Sequence, residues 1–216
     1  MAKDAIIFDF DGTLVDSIGF HFRIHQKVFE RAGIKLTERF FFNECNGMEP
    51  HEFYEKILKY HGKDISVMGK VWKDMLREKR RQGLDSIKAY PGVKGMLNHL
   101  QKRDIRMLIA SSSRHAYVME ILKNNGIEGY FHKVVGSDGI EHSKPHPAIF
   151  LKAWEHSGTD KGRCVVLEDS INGVKAARRA HMDAICLTTT TSIEDIPESA
   201  FIAESHSEVP HIIQRM

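Results

Sequence analysis

At 216 residues, with 42% hydrophobic and 28% charged side chains, the chain can bury a full core and has the composition of an ordinary globular protein. Its 31 basic and 29 acidic side chains leave a net charge of +2, which gives no support for a nucleic-acid partner. No apolar stretch approaches the length needed to cross a bilayer, and the N-terminus lacks a signal-peptide pattern, so no membrane partner and a cytoplasmic location are expected.

The first predicted element is the most informative. Ala5-Ile6-Ile7-Phe8 is a short apolar run that ends in Asp9 and Asp11, followed by Gly12 and Thr13. Such a run reads as a buried strand of a parallel sheet, and ligands collect at the carboxyl ends of those strands. Two neighbouring acids repel and are costly to desolvate unless a cation or a proton lies between them. A calcium loop of the EF-hand kind is a poor fit, because its Gly stands at loop position six. Here Gly12 comes at the fourth position, after a strand-like run.

Residues 18–33 carry apolar side chains at helical spacing, and Gly33 closes them. Thr37 is placed to cap a short helix through Phe42. A further helix starts at Glu49-Pro50, with Phe53, Ile57 and Leu58 on one face and Gly62 at its end. The stretch from Ser66 to Gln82 is helical as well, with Val67, Val71, Trp72 and Met75 expected inward. Its basic run, residues 77–81, reads as a solvated helix end that complements the helix dipole. Residues 16–86 therefore form an all-helical block.

Tyr90-Pro91-Gly92 punctuates the return to alternation. Helices at 93–102, 114–125, 147–156 and 171–181 alternate with strands at 105–110, 133–136, 164–167 and 184–187. That pattern argues an α/β class, with a doubly wound parallel sheet to which the first strand belongs. The expected division is 1–15 with 87–216 as a sheet domain and 16–86 as an insertion. Cys45, Cys164 and Cys186 are odd in number and widely separated, and Cys164 and Cys186, inside apolar runs, read as reduced core residues. His21 and His25 lie one helical turn apart, but Phe22 stands where a zinc-binding HExxH pattern needs Glu.

The strand ends carry the chemistry. The first ends in Asp9 and Asp11, the next in Ser111-Ser112-Ser113. Ser143-Lys144-Pro145 follows the third, and Glu168-Asp169-Ser170 ends the fourth, with Gly173 opening the next helix. All four sets should gather at one edge of the sheet. Carboxylates there suit magnesium with a phosphate, and hydroxyls, backbone N–H groups and a lysine suit phosphoryl oxygens.

In these motifs and their order the chain resembles the haloacid dehalogenase superfamily of phosphotransferases over nearly its whole length. The resemblance implies a Rossmann-like core and a type 1 helical cap, in the branch of the β-phosphoglucomutases and phosphoglycolate phosphatases. It implies Asp9 as the nucleophile that forms an aspartyl-phosphate and Asp11 as general acid and base. Lys144 would offset the charge of nucleophile and phosphate, and Ser111 would meet a phosphoryl oxygen. Asp9, Asp11 through its main-chain carbonyl, Glu168 and Asp169 would hold Mg²⁺. Ser112, Ser113, Gly12, His21, Gly47 and Lys73 are the further candidates for substrate contact.

What accepts the phosphoryl group is less plain from the residues. The Asp-Gly-Thr-Leu-Val-Asp-Ser form is similar to the hydrolases. His21-Phe22-Arg23, Ser113 and Lys73 resemble features of the sugar-phosphate mutases. The segment Asn46-Gly47-Met48-Glu49-Pro50 lacks the mutase arginine, and His115 stands where they commonly carry an asparagine. Hydrolysis of a small phosphomonoester by a monomer is therefore expected, with a phosphosugar mutase as the alternative. A non-catalytic phosphate-binding regulator would have lost Asp9 or Asp11, and a dehalogenase would need neither Glu168 nor Asp169 for metal. His181 stands at a helix end where the family commonly has Gly, at a cost of about 1 kcal/mol if its backbone turns left-handed.

Overall fold

The computed structural model describes residues 2–41, 50–198 and 200–216. Cys45, Gly47 and the rest of the 42–49 segment lie outside the described residues. The chain divides into two compact units, Met1–Asp16 with Ile87–Met216, and Ser17–Ser86. Among the described residues no helix is long and apolar enough to cross a membrane.

Strand β1 (Ala5–Phe8) opens the chain and is buried along its whole length. Its four consecutive apolar residues suit a strand covered on both faces. Burial of Ile6, Ile7 and Phe8 contributes about 1.5–3 kcal/mol each.

The helical unit follows. It consists of α1 (Ser17–Arg31), α2 (Glu38–Phe40), α3 (Pro50–Tyr60) and α4 (Met68–Gln82). Helix α1 buries Phe20, Phe22, Ile24, Val28 and Phe29, and α4 buries Val71 and Met75. Thr37 caps α2 by accepting the Phe40 N–H at 3.3 Å. Two expectations are corrected here. Trp72 is 43% exposed and meets Tyr54 edge-on, because it lies one residue, about 100° of helix, past the buried Val71. Within the basic run of α4, Glu78 is buried and takes Lys27 at 2.7 Å and Arg31 at 3.3 Å from α1. That run is thus a solvated end on one side and a buried ion-pair network on the other.

The sheet unit resumes with α5 (Val93–Gln101), β2 (Arg106–Ala110), α6 (His115–Asn125), β3 (Lys133–Val135) and α7 (Ala148–Trp154). It continues with β4 (Cys164–Glu168), α8 (Ile171–Arg179), β5 (Asp183–Leu187), β6 (Phe201–Ala203) and α9 (Val209–Arg215). The strands form one sheet in the order β3-β2-β1-β4-β5-β6, and every pairing is parallel. Ile7 is in register with Leu108 on one side and Val166 on the other. Cys164 and Cys186 are buried free thiols.

Strand β6 and helix α9 extend the predicted pattern. The chain order runs outward from β1 through β2 to β3, then jumps to β4 on the opposite side. This reversal places the crevice of a doubly wound sheet between the carboxyl ends of β1 and β4.

Candidate active site

Asp9 leaves β1 with 6% exposure, its N–H donating to the Leu167 carbonyl of β4 at 2.8 Å. The chain then turns tightly, with Leu14 N–H donating to the Phe10 carbonyl at 2.9 Å and Gly12 N–H to Val15 at 3.0 Å. Gly12 has a φ of 85°, the left-handed region that glycine alone enters freely. A Cβ at that position would also overlap the Asp169 carboxylate. Only glycine lets the turn pass this close to the end of β4.

Lys144 is the hub of the charged cluster. Its Nζ donates to Asp9 Oδ1, to Glu168 Oε1 at 2.7 Å and more weakly to the Ala110 carbonyl at 3.5 Å. On another side the ammonium lies 4.7 Å from the centre of the Phe150 ring, a cation–π contact with a fully buried aromatic of α7. Glu168 has both oxygens committed. One takes Lys144, and the other accepts the N–H of Asp169 at 2.8 Å and the N–H and hydroxyl of Ser170 at 2.7 and 2.9 Å. Ser170 caps α8 by accepting the Gly173 N–H at 3.1 Å.

Asp11 points to the next strand end. Its Oδ2 accepts Ser113 Oγ at 2.6 Å and Ser111 Oγ at 3.3 Å, while the Ser113 N–H donates to Ser111 Oγ at 3.0 Å. Ser112 is exposed beside them. Tyr117 of α6 lies near enough to feel the Asp11 charge, and burial first and then that charge hold its phenol proton on. Asp169 is taken up by hydroxyls, from Thr13 to Oδ1 at 2.6 Å and from Thr190 to Oδ2.

The electrostatics of this cluster are one-sided. Asp9, Glu168 and Asp169 are 6%, 1% and 4% exposed, and among the described residues the one ammonium bonded among them is that of Lys144. Burial pushes Asp9 well above the ordinary carboxylate range; Lys144 opposes that push, and Glu168 and Asp169 add to it. Burial and then Glu168 push Asp169 up to about 7, against the Thr13 and Thr190 hydroxyls. Burial pulls the Lys144 ammonium down, but Asp9 and Glu168 outweigh it and raise its pKa. Three carboxylates around one ammonium leave an excess of two negative charges, which a divalent cation matches. The donor set therefore fits magnesium by charge and by hard oxygen chemistry. Among the described residues, no three such side chains yet converge as a ready-made metal cage.

Asp9, Asp11, Gly12, Ser111, Ser112, Ser113, Lys144, Glu168 and Asp169 all belong to the sheet unit and sit at or just beyond the carboxyl ends of its strands. His21, on the first turns of α1, and Lys73, exposed on α4, belong to the helical unit. Gly47 is outside the described residues.

Sequence reasoning passed over two groups. His206, buried ahead of α9, bonds through Nε2 to the Thr13 carbonyl at 2.7 Å and stacks on Tyr90. A carbonyl only accepts, so His206 carries its proton on Nε2. Thr189 to Thr191, the loop after β5, bond back to Gly12 and Asp169. Their only sequence signal is position: a polar run directly after a buried strand.

The family of haloacid dehalogenase-like hydrolases matches residues 6–187. A phosphorylated carbohydrates phosphatase of Thermotoga maritima is 29% identical, over 84% of this chain and 83% of its own. A β-phosphoglucomutase of Bacillus subtilis is 28% identical, over 84% and 81%. The crystal structure of a haloacid dehalogenase-like protein from Agrobacterium tumefaciens superposes with a TM-score of 0.80 at 25% identity, covering 99% of each chain. A parallel sheet whose strand order reverses between β1 and β4, beside Asp9 and Asp169, and a match running from β1 to β5 place this chain in the haloacid dehalogenase-like hydrolase family.

Proposed function

We propose that this chain hydrolyses a small phosphomonoester, a sugar phosphate first among them, through a phosphorylated Asp9, with Mg²⁺ as its cofactor. The observation that carries the proposal is the buried Asp9 carboxylate, fixed by Lys144 in a cluster two positive charges short. Asp9, the Asp11 main-chain carbonyl and Asp169 would hold the ion. Glu168, committed to Lys144 and the start of α8, acts through the lysine. When bound, magnesium would offset the charges of Asp9 and phosphate so that nucleophile and phosphorus can approach.

The residues then divide the work. An Asp9 oxygen attacks phosphorus as the ester P–O bond breaks, and Asp11 gives its proton to the departing oxygen. In the second half Asp11 takes a proton from water, whose oxygen attacks phosphorus, and the P–O bond to Asp9 breaks. Phosphate leaves, and Asp9 and Asp11 return to their starting states. Lys144 and the Ser111 hydroxyl face the phosphoryl oxygens, with Gly12, Ser112 and Ser113 lining the same edge. Substrate choice is assigned to the helical unit, with His21, Gly47 and Lys73 as its candidate residues.

Sugar phosphates lead because the Thermotoga relative acts on phosphorylated carbohydrates. The test is phosphate release from phosphorylated sugars, phosphoglycolate and nucleotides, with and without magnesium, and with product analysis for β-glucose 1-phosphate. Magnesium-dependent release of free phosphate from a narrow set is expected. Conversion of β-glucose 1-phosphate to glucose 6-phosphate without free phosphate would replace the hydrolase with a mutase.

A further inference from the structure

Strand β5 runs into Thr188-Thr189-Thr190-Thr191, and three of those hydroxyls reach the site, one at the Gly12 turn and two at Asp169. Thr189 Oγ1 donates to the Gly12 carbonyl at 2.6 Å. Thr191 Oγ1 donates to the Asp169 carbonyl at 2.5 Å. Thr190 Oγ1 contacts Asp169 Oδ2 and lies 2.9 Å from the Asp169 carbonyl. One hydroxyl proton serves one acceptor at a time. The carboxylate oxygen is the nearer of the two Thr190 acceptors and is the one given the Thr190 proton.

Threonines after a strand ordinarily bond to backbone within their own loop. Here the acceptors are 21, 22 and 177 residues away in sequence, which no local turn motif explains. Thr13 donates to the other Asp169 oxygen at 2.6 Å, so the carboxylate is clamped from both sides by neutral donors. Neutral donors fix its rotation without offsetting its charge. The Thr190 methyl also packs at the Gly12 turn, where a Cβ on Gly12 would stand 3.1 Å from it.

We propose that Thr190 is a positioning residue for the metal site: its hydroxyl holds the Asp169 carboxylate in a ligand-ready orientation while leaving its negative charge for a divalent cation. The proposal rests on the assignment of Asp169 to magnesium made above. Hydrogen-bonding partners of metal ligands are worth about 10–100-fold in metal affinity or activity. Thr190→Val keeps the shape and removes the donor, and Thr190→Ser keeps the donor.

The readout is the rise in melting temperature of the metal-free protein on titration with MgCl₂ alone, which reports binding without turnover. Thr190→Val should need about 10–100-fold more magnesium for the same rise, and Thr190→Ser should follow the wild type. A valine variant that responds at wild-type concentrations overturns the proposal and leaves the magnesium assignment standing. A wild type that ignores magnesium removes the assignment, and the proposal with it. Should the valine variant not fold, the serine variant decides: a folded serine variant with weakened magnesium response overturns the role of the hydroxyl.

Discussion

Glu78 in the helical unit and Asp9 and Asp169 in the sheet unit are all buried carboxylates, yet their protons are held in opposite directions. A hydrogen bond from Lys27, helped by Gln82 and by Arg81, keeps Glu78 below its ordinary range. Burial lifts Asp9 and Asp169 above theirs, and among the described residues Lys144 is the one ammonium bonded in that cluster to oppose it. The charge of Glu78 is thus balanced by side chains of its own unit. The sheet unit leaves its acids short of cation, which is what a site needs if cation and phosphate are to bind there. A buried acid by itself says little about function; the balance of charge around it says more.

That contrast can be broken most sharply at Asp9. Asp9→Asn is nearly isosteric and removes the proposed nucleophile, so turnover should fall by on the order of 10³-fold or more. Because it also removes one of the excess charges, the metal-free variant should melt no lower than the wild type. Wild-type turnover would dismiss Asp9 as nucleophile, and a large drop in melting temperature would dismiss the charge imbalance. Glu78→Gln is the counterpart. Here a compensated charge is lost, and denaturant unfolding should show a destabilisation of about 1.5–3 kcal/mol, the value of hydrogen bonds to a charged group. A stabilised Glu78→Gln protein would erase the difference between the two units.

A smaller effect separates the units by pH. Burial holds His206 below the ordinary imidazole value, against the Thr13 carbonyl, which favours the proton. As pH falls below roughly 6.5, the unfolded chain binds a proton that the folded one refuses. His206 therefore subtracts stability progressively from that point down to its folded pKa and has no effect above it. His206→Gln, which keeps a donor for the Thr13 carbonyl, should flatten the melting temperature in that window; an unchanged slope would discard the assignment. The smallest effect concerns His181, which sits at φ 60° where α8 ends, with Met182 N–H donating to the Ala177 carbonyl at 3.0 Å. His181→Gly should gain up to about 1 kcal/mol in denaturant unfolding by relieving the left-handed backbone. A loss would show that the imidazole contributes contacts that outweigh the strain.

Much of the sheet unit was legible because its central strands are continuous apolar runs, each ending abruptly in polar residues. Asp9, Ser111, Lys144 and Asp169 are far apart in sequence, and the parallel topology alone is enough to bring them to one edge. Strand β6 was hidden because it is three residues long with Phe201 and Ile202 exposed at the edge, so no buried pattern marks it. Glu78 was hidden by its neighbours: charge along α4 suggested solvent, and only the partner helix α1 shows which side is buried. The threonine loop and His206 escaped for a different reason. Their hydrogen bonds run to residues 21 to 193 positions away, and neither composition nor periodicity encodes a partner at that range.

The place of β1 in the sheet has a consequence for how the enzyme is made. Of the strands in this sheet, the one that comes earliest in the chain is an interior one, flanked by partners centred on Leu108 and Val166. A nascent chain that has already exposed Asp9 and Asp11 cannot seat them until β4 has left the ribosome, and Thr190 follows later still. Long-range pairing of this kind slows folding, because the loop must close before contacts reward it. The proposed site is thereby kept from assembling on unfinished chains: a product that stops short of β4 carries Asp9 and Asp11 but lacks Glu168 and Asp169.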